Sequence, residues 1–221
     1  MSGALGPSSG CEQDKTTTSV SRRSLLQSAG AAITTGVLGT LAGCTGGDGG
    51  GETTTTTEAP TKELYIVAFH WGFRQLTPDG TVVDQVTTPP GTDLTLHGVN
   101  VEPIAEGEDL DVPDPVYTTA KNNYKDWEEA SLERIAGQTD GTVEEWHEKL
   151  ETAEKKYKTH GVGIMTPDDE QLMSVKLPPQ EQPVTKTVTL DTTGAYTYRC
   201  TEYCGPGHSY MVLNDAINVE S

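Results

Sequence analysis

Cys200-Thr-Glu202-Tyr-Cys204-Gly-Pro-Gly-His208-Ser-Tyr-Met211 is the stretch on which the reading of this chain turns. Two cysteines, a histidine and a methionine fall within twelve residues, spaced C-x3-C-x3-H-x2-M. All four are soft or borderline metal ligands, and thiolate with imidazole and thioether is a copper set. A mononuclear blue-copper site uses one cysteine with two histidines and a weak axial methionine. A second cysteine changes the chemistry, because two sulfurs can bridge two ions. Each ion then needs its own imidazole: His208 serves one, and a second histidine must come from elsewhere. Met211 fits as a weak axial ligand. The backbone carbonyl of Glu202 fits the same role on the other ion. Two coppers sharing two sulfurs spread one electron over both, so little geometry changes on reduction. A disulfide between Cys200 and Cys204 and a structural zinc site of two cysteines and two histidines are the bland alternatives. Neither uses Met211 or the glutamate between the cysteines.

Working outward, the segments flanking this loop read as strands. Ala195-Tyr-Thr-Tyr-Arg199 runs straight into Cys200, and Ala216-Ile-Asn-Val219 follows the loop. Val184-Thr-Lys-Thr-Val-Thr-Leu190 alternates with period two and is separated from the next strand by the turn Asp191-Thr-Thr-Gly194. Glu63-Leu-Tyr-Ile-Val-Ala-Phe69 is apolar and β-branched, and Asp93-Leu-Thr-Leu96 follows the turn signal Pro89-Pro90-Gly91. Short strands between Gly/Pro turns indicate an all-β sandwich.

Residues 102–157 differ: they are acidic and carry helical periodicity. Thr142-Val-Glu-Glu145 is a capping-box pattern. Val143, Trp146, Leu150, Ala153 and Tyr157 follow on one face, and Glu145/Lys149, Glu151/Lys155 and Glu154/Lys158 are spaced to pair along it. A weaker helix is predicted over residues 122–135, ending near Gly137. The segment reads as an acidic helical hairpin inserted into the β-domain, either a solvated decoration or a docking surface. Trp127 and Trp146 are expected to pack the hairpin together.

The copper loop closely resembles that of the CuA domain of subunit II of haem-copper cytochrome c oxidases, C-x-E-x-C-G-x-x-H-x-x-M, and every position matches here. The same loop type occurs in nitrous oxide reductase and some nitric oxide reductases. The resemblance covers roughly residues 63–100 and 158–221. It implies a cupredoxin-like Greek-key β-sandwich with the metal loop joining the last two strands, and a binuclear centre of two copper ions. It also decides between His97 and His160 for the missing imidazole. Thr159-His160-Gly-Val-Gly-Ile164, then Leu172-Met-Ser-Val-Lys-Leu-Pro-Pro179 and the next strand, follow the family order. His160 lies 40 residues before Cys200, near the family interval, whereas His97 lies 103 before it. The ligand set is therefore His160, Cys200, the Glu202 carbonyl, Cys204, His208 and Met211. His70 and His97 are expected as partly buried, hydrogen-bonded strand residues, and His147 as a solvated one. His70-Trp71-Gly-Phe73 resembles the aromatic cluster near the family's copper pair, where Trp71 matches an exposed aromatic that accepts electrons from the donor; a packing role on a strand is the alternative. The Glu202 carboxylate, by the same resemblance, helps hold a magnesium ion at the interface with the haem subunit.

The front of the chain places this domain. Arg22-Arg23 ahead of a short apolar run reads as a twin-arginine export signal, and Leu41-Ala42-Gly43-Cys44 resembles a lipobox whose cysteine becomes the lipidated N-terminus. Residues 25–43 contain too much Gln, Ser, Thr and Gly to suit a membrane span, although an uncleaved anchor is the alternative; Cys11 would be discarded with the signal. Residues 1–44 are thus the signal region, residues 45–62 a flexible Gly/Thr-rich tether, and residues 63–221 the CuA domain. From Cys44 onward 12 Lys and Arg face 31 Asp and Glu, a net charge of −19. Such acidity excludes nucleic acid as a partner and resembles the composition of proteins from salt-loving archaea.

The resulting expectation is a lipid-anchored electron-transfer subunit on the extracytoplasmic face of the cell membrane. It would take electrons from a blue-copper protein or cytochrome c and pass them to subunit I of a haem-copper oxidase. No residue reads as catalytic, and oxygen chemistry would belong to the complex. The alternatives are a copper storage or delivery protein and the electron-accepting domain of a nitric oxide reductase.

Overall fold

The computed structural model describes residues 59–221. The twin arginines, Cys44 and the tether up to residue 58 lie outside the described residues. The elements run β1 (Thr61–Phe69), β2 (Gly72–Leu76), β3 (Val82–Val83), β4 (Val86–Thr88), β5 (Thr92–Asn100), α1 (Glu102–Ala105), α2 (Asp114–Gln138), α3 (Val143–Lys156), β6 (His160–Met165), β7 (Gln171–Leu177), β8 (Val184–Leu190), β9 (Gly194–Arg199) and β10 (Val212–Val219). They form two five-stranded sheets, ordered β3-β2-β1-β5-β8 and β4-β10-β9-β6-β7. This is an all-β, cupredoxin-like sandwich with a helical insertion between β5 and β6. No described helix is long and apolar enough to cross a membrane.

The pattern of β1 explains how the insertion is carried. A strand in a one-sided sheet alternates apolar and polar residues, whereas one covered on both faces reads as a continuous apolar run. Leu64, Ile66 and Ala68 face the core between the sheets, with Leu94, Leu96, Val162, Ile164, Tyr196, Tyr198 and Ile217. Tyr65, Val67 and Phe69 point the other way, into a second core with Val99, Ile104, Leu110, Val116 and Ala120. That second core is built by the insertion, which covers the outer face of the first sheet.

The helices depart from expectation in three ways. The first long helix begins at Asp114, well before residue 122, because Pro115 occupies its first turn, where a missing N–H costs nothing. Its end at Gln138 agrees with the expected stop near Gly137. The α3 capping box forms as read, with Glu145 N–H donating to Thr142 Oγ1 and Thr142 N–H donating to Glu145 Oε2. Two of the three expected pairs along α3 give way to other partners: Lys149 lies over the Trp146 ring, and Lys158 pairs with Glu106 of the α1 region. Nor do the two tryptophans zip the hairpin. Trp127 packs on Phe69 of β1, and Trp146 packs edge-on to Trp71 and Tyr210, so each helix is fastened to the sandwich by its own indole.

Candidate metal centre

β9 and β10 are antiparallel neighbours, with Arg199 opposite Val212. The chain leaving β9 at Cys200 must therefore return at Met211, and Cys200 N–H donates to Met211 O at 3.0 Å, closing the loop at its neck. Within the loop, a 3-10 turn over His208–Tyr210 turns His208 and Met211 back toward the cysteines. Gly205 has φ +104°, a conformation suited to glycine. Gly207 has no room for a side chain: a Cβ there would overlap the Trp71 indole.

The second histidine is delivered by register. β6 pairs antiparallel with β9, with Gly163 opposite Arg199, so the start of β6 runs beside the residues that follow Arg199. His160 thereby meets the loop. One ring nitrogen of His160 and the two cysteine sulfurs lie within 4.8 Å of one another. His97 stands elsewhere, on β5 of the other sheet, its ring stacked on Tyr65 and held by Glu63 at 2.9 Å and Thr185 at 2.8 Å.

The donor atoms are close. Cys200 Sγ lies 3.8 Å from Cys204 Sγ and 3.1 Å from the carbonyl oxygen of Glu202. Cys204 Sγ lies 3.8 Å from His208 Nδ1 and 3.7 Å from Met211 Sδ. A disulfide has sulfurs about 2.05 Å apart, so the two cysteines are free thiols here. The Glu202 carboxylate points away from the loop and meets Lys176 at 3.2 Å.

Electrostatics favour ligand-ready side chains. The Cys204 thiol, then the His160 ring and the Gly161 N–H, stabilise the Cys200 thiolate and push that thiol well below the ordinary range. Cys204 is raised, chiefly because its thiol keeps the proton it shares with that thiolate, and then by burial and by the charge of Cys200. Burial lowers His160 and keeps its imidazole neutral, the form that ligates metal. His160 is 0% exposed, and neither ring nitrogen has a hydrogen-bond partner among the described residues. A buried polar group without a partner is costly. An imidazole that makes no aligned hydrogen bond at either nitrogen and has two cysteine sulfurs as its polar neighbours suits a metal ligand, and the donor set as a whole fits copper.

Trp71 departs from the expected exposed aromatic: it is 0% exposed. It sits in the two-residue turn between β1 and β2, and Trp146 of α3 covers it at 5.6 Å between ring centroids. The insertion closes over it. The exposed aromatic of the loop is instead Tyr203, 62% exposed, with its ring 5.7 Å from that of His208. His70, read as an ordinary strand histidine, proves to be a fully buried turn residue whose ring lies 4.9 Å from His160. His147 pairs with Glu129 on the surface, as a solvated residue would.

No protein-family model and no curated protein matches the chain. Solved structures similar to it include a haem-copper terminal oxidase dimer, at 16% identity over 75% of this chain and 68% of that one, with a TM-score of 0.38. The periplasmic domain of subunit II of the cytochrome oxidase of Bradyrhizobium japonicum is similar at 10% identity, covering 72% and 84%, with a TM-score of 0.34. A purple cupredoxin from Nitrosopumilus maritimus is similar at 11% identity, covering 72% and 99%, with a TM-score of 0.29. At such identities and scores, none of the three bears on the chemistry of the centre.

Proposed function

We propose that this chain is a CuA-type electron-transfer domain whose centre holds two copper ions. His160, Cys200, the Glu202 carbonyl, Cys204, His208 and Met211 would hold them. When bound, such a pair supplies outer-sphere transfer of single electrons. The observation that carries this reading is His160: a wholly buried imidazole, unpartnered at both nitrogens, brought by β6 to within 4.8 Å of both thiols. A zinc site would use the thiols and imidazoles but leave the buried thioether of Met211, 3.7 Å from Cys204 Sγ, without a purpose.

The residues around the centre support the same task. The protein keeps water from one side of the centre with Trp71, Trp146 and Tyr210, which form a continuous edge-to-face stack. It fixes the loop with the neck bond from Cys200 and with the Trp71 bond to Cys204 O. A rigid, partly dry ligand cage limits reorganisation during electron transfer. Electrons would enter through the exposed Tyr203–His208 edge, since Trp71 is closed off. The donor would be a blue-copper protein or cytochrome c, and the acceptor a haem-copper oxidase subunit. The Glu202 carboxylate, now paired with Lys176, would be available there to a magnesium ion. The export signal and Cys44 would tether the domain to the extracytoplasmic membrane face.

Copper analysis with EPR on the full chain tests the reading. Two coppers per chain and a delocalised mixed-valence signal are expected. One copper per chain, silent as Cu(I), would instead mark a delivery protein. Co-purification of a haem subunit separates an oxidase from a nitric oxide reductase as the acceptor.

A further inference from the structure

Behind the copper loop lies a second convergence of ligand-type side chains, and the chemistry above does not use it. His70, in the β1–β2 turn, is 0% exposed. Its ligand nitrogen lies within 4.8 Å of carboxylate oxygens of Glu128 on α2 and Glu154 on α3, which also lie that close to each other. Glu102, at the start of α1 and itself buried, brings Oε1 to 3.1 Å from His70 Nδ1. One residue from each inserted helix thus meets one imidazole of the β-domain. Glu102, Glu128 and Glu154 line a cavity of about 410 Å³ between the helices.

The hydrogen-bond pattern of His70 shows what is missing. Nε2 lies 3.1 Å from the carbonyl oxygen of Tyr157, which can only accept, so Nε2 carries the proton. The other ring nitrogen is Nδ1. It faces the Glu102 carboxylate, yet it has no aligned hydrogen bond among the described residues. A cation bound between that nitrogen and the carboxylate oxygens would satisfy both. A histidine that donates its far N–H to a backbone carbonyl while its other nitrogen stays bare is oriented as metal-ligating histidines are. Three lysines also line the cavity: Lys158 is engaged by Glu106, Lys125 lies over the Tyr124 ring, and Lys155 is the third. Desolvation, and then its acidic neighbours Glu154 and Glu102, push the half-buried Glu128 carboxyl up to about 7.

We propose that His70, Glu102, Glu128 and Glu154 form a second metal site that takes one zinc-type divalent cation and clamps the three inserted helices to the β1–β2 turn. The imidazole turns the site away from magnesium and calcium, which prefer oxygen alone, and the lack of thiolate turns it away from Cu(I). The site shares no ligand with the copper reading, but His70 and Glu102 also come within 4.8 Å of a His160 nitrogen, so the variants below are chosen to let the two fail separately.

The test is zinc binding to the copper-loaded full chain, followed by gel filtration and metal analysis. The expected result is one zinc per chain beyond the copper, with a rise in melting temperature on adding zinc. Glu128→Gln with Glu154→Gln should retain no zinc, gain no thermal shift and keep its copper. Cys200→Ser with Cys204→Ser should still take up one zinc, which separates this site from the thiol centre. Without metal, the Glu128→Gln/Glu154→Gln chain should melt no lower than wild type, because amides replace carboxylates that repel. Wild-type protein that retains no zinc overturns the proposal. So does a glutamine variant that binds as much as wild type, or one that melts lower without metal. Loss of zinc in the cysteine variant overturns it equally.

Discussion

The indole Nε1–H of Trp71 donates to the carbonyl oxygen of Cys204 at 3.0 Å, tying the β1–β2 turn to the metal loop across the core. Trp71 holds φ +62° to do so, a left-handed conformation that is unusual for a bulky residue. Such a conformation costs on the order of 1–3 kcal/mol and persists where its surroundings over-determine it. Here the surroundings are the Cys204 bond, the Trp146 ring and the flat contact with Gly207.

Trp71→Phe removes the donor and leaves the buried Cys204 carbonyl unpaired. The expected loss is about 1–3 kcal/mol in chemical denaturation of the metal-free domain. Gly207→Ala should be destabilising in the wild-type background because its Cβ meets the indole. In a Trp71→Ala background the same change should cost much less, a coupling of more than about 1 kcal/mol in a double-mutant cycle. Additive effects would show that the indole and the loop do not act together.

Arg134 of α2 makes the matching tie from the insertion. Its guanidinium donates to Trp71 O at 3.2 Å and to Tyr210 O at 2.9 Å. Arg134→Met keeps the stem but strips both bonds, and charged hydrogen bonds are worth about 1.5–3 kcal/mol each at best. The expected outcome is a lower denaturation midpoint and faster hydrogen exchange at the amide of Met211, whose carbonyl and N–H close the loop.

The loop chemistry was legible because ligand type and spacing lie within one short segment. That His160 would lie beside the cysteines was legible because the segment it opens precedes the loop by one strand pairing. The covered state of Trp71 was not, since nothing local to residues 70–73 says that a helix more than 70 positions later lies on it. The continuous apolar run of β1 was the one available signal: Tyr65, Val67 and Phe69 needed a cover, and the insertion was at hand. His70 was hidden for a related reason, because its carboxylate neighbours come from three separate helices. The early start of α2 could have been read from Pro115, a residue favoured in the first helical turn.

Glu128 gives the zinc-free chain a pH dependence. Its folded-state pKa is raised from 4.5 to about 7, so the fold favours the protonated acid. The stability it contributes is fully present below the unfolded value and is lost as pH rises through the folded one. At about 1.4 kcal/mol per unit, the loss between acid and pH 8 is up to about 3 kcal/mol. Glu128→Gln should flatten that part of the stability curve, so wild type and variant diverge in urea midpoint at pH 8 and converge near pH 4. Parallel curves would exclude a carboxyl raised by desolvation at this position.

His160 and His97 offer a direct contrast. His160→Ala removes the orphaned imidazole beside the thiols and should abolish the mixed-valence EPR signal. His97→Ala removes a ring that stacks on Tyr65 and binds Glu63 in the opposite sheet, and should leave the signal intact. The reverse pattern would place the second imidazole on β5.

Met211 separates holding the metal from tuning it. Its side chain is fully buried, with Sδ 3.7 Å from Cys204 Sγ. Leu nearly conserves its volume, and buried swaps of this kind usually cost less than about 1.5 kcal/mol. Met211→Leu should therefore fold and, with both thiols and both imidazoles in place, still take up two coppers. A weak axial thioether sets potential more than affinity. Protein-film voltammetry should then find the couple displaced while copper content stays at the wild-type level. Loss of one copper with an unchanged fold would make Met211 a structural ligand, and the centre would be held by the thioether as firmly as by the thiolates.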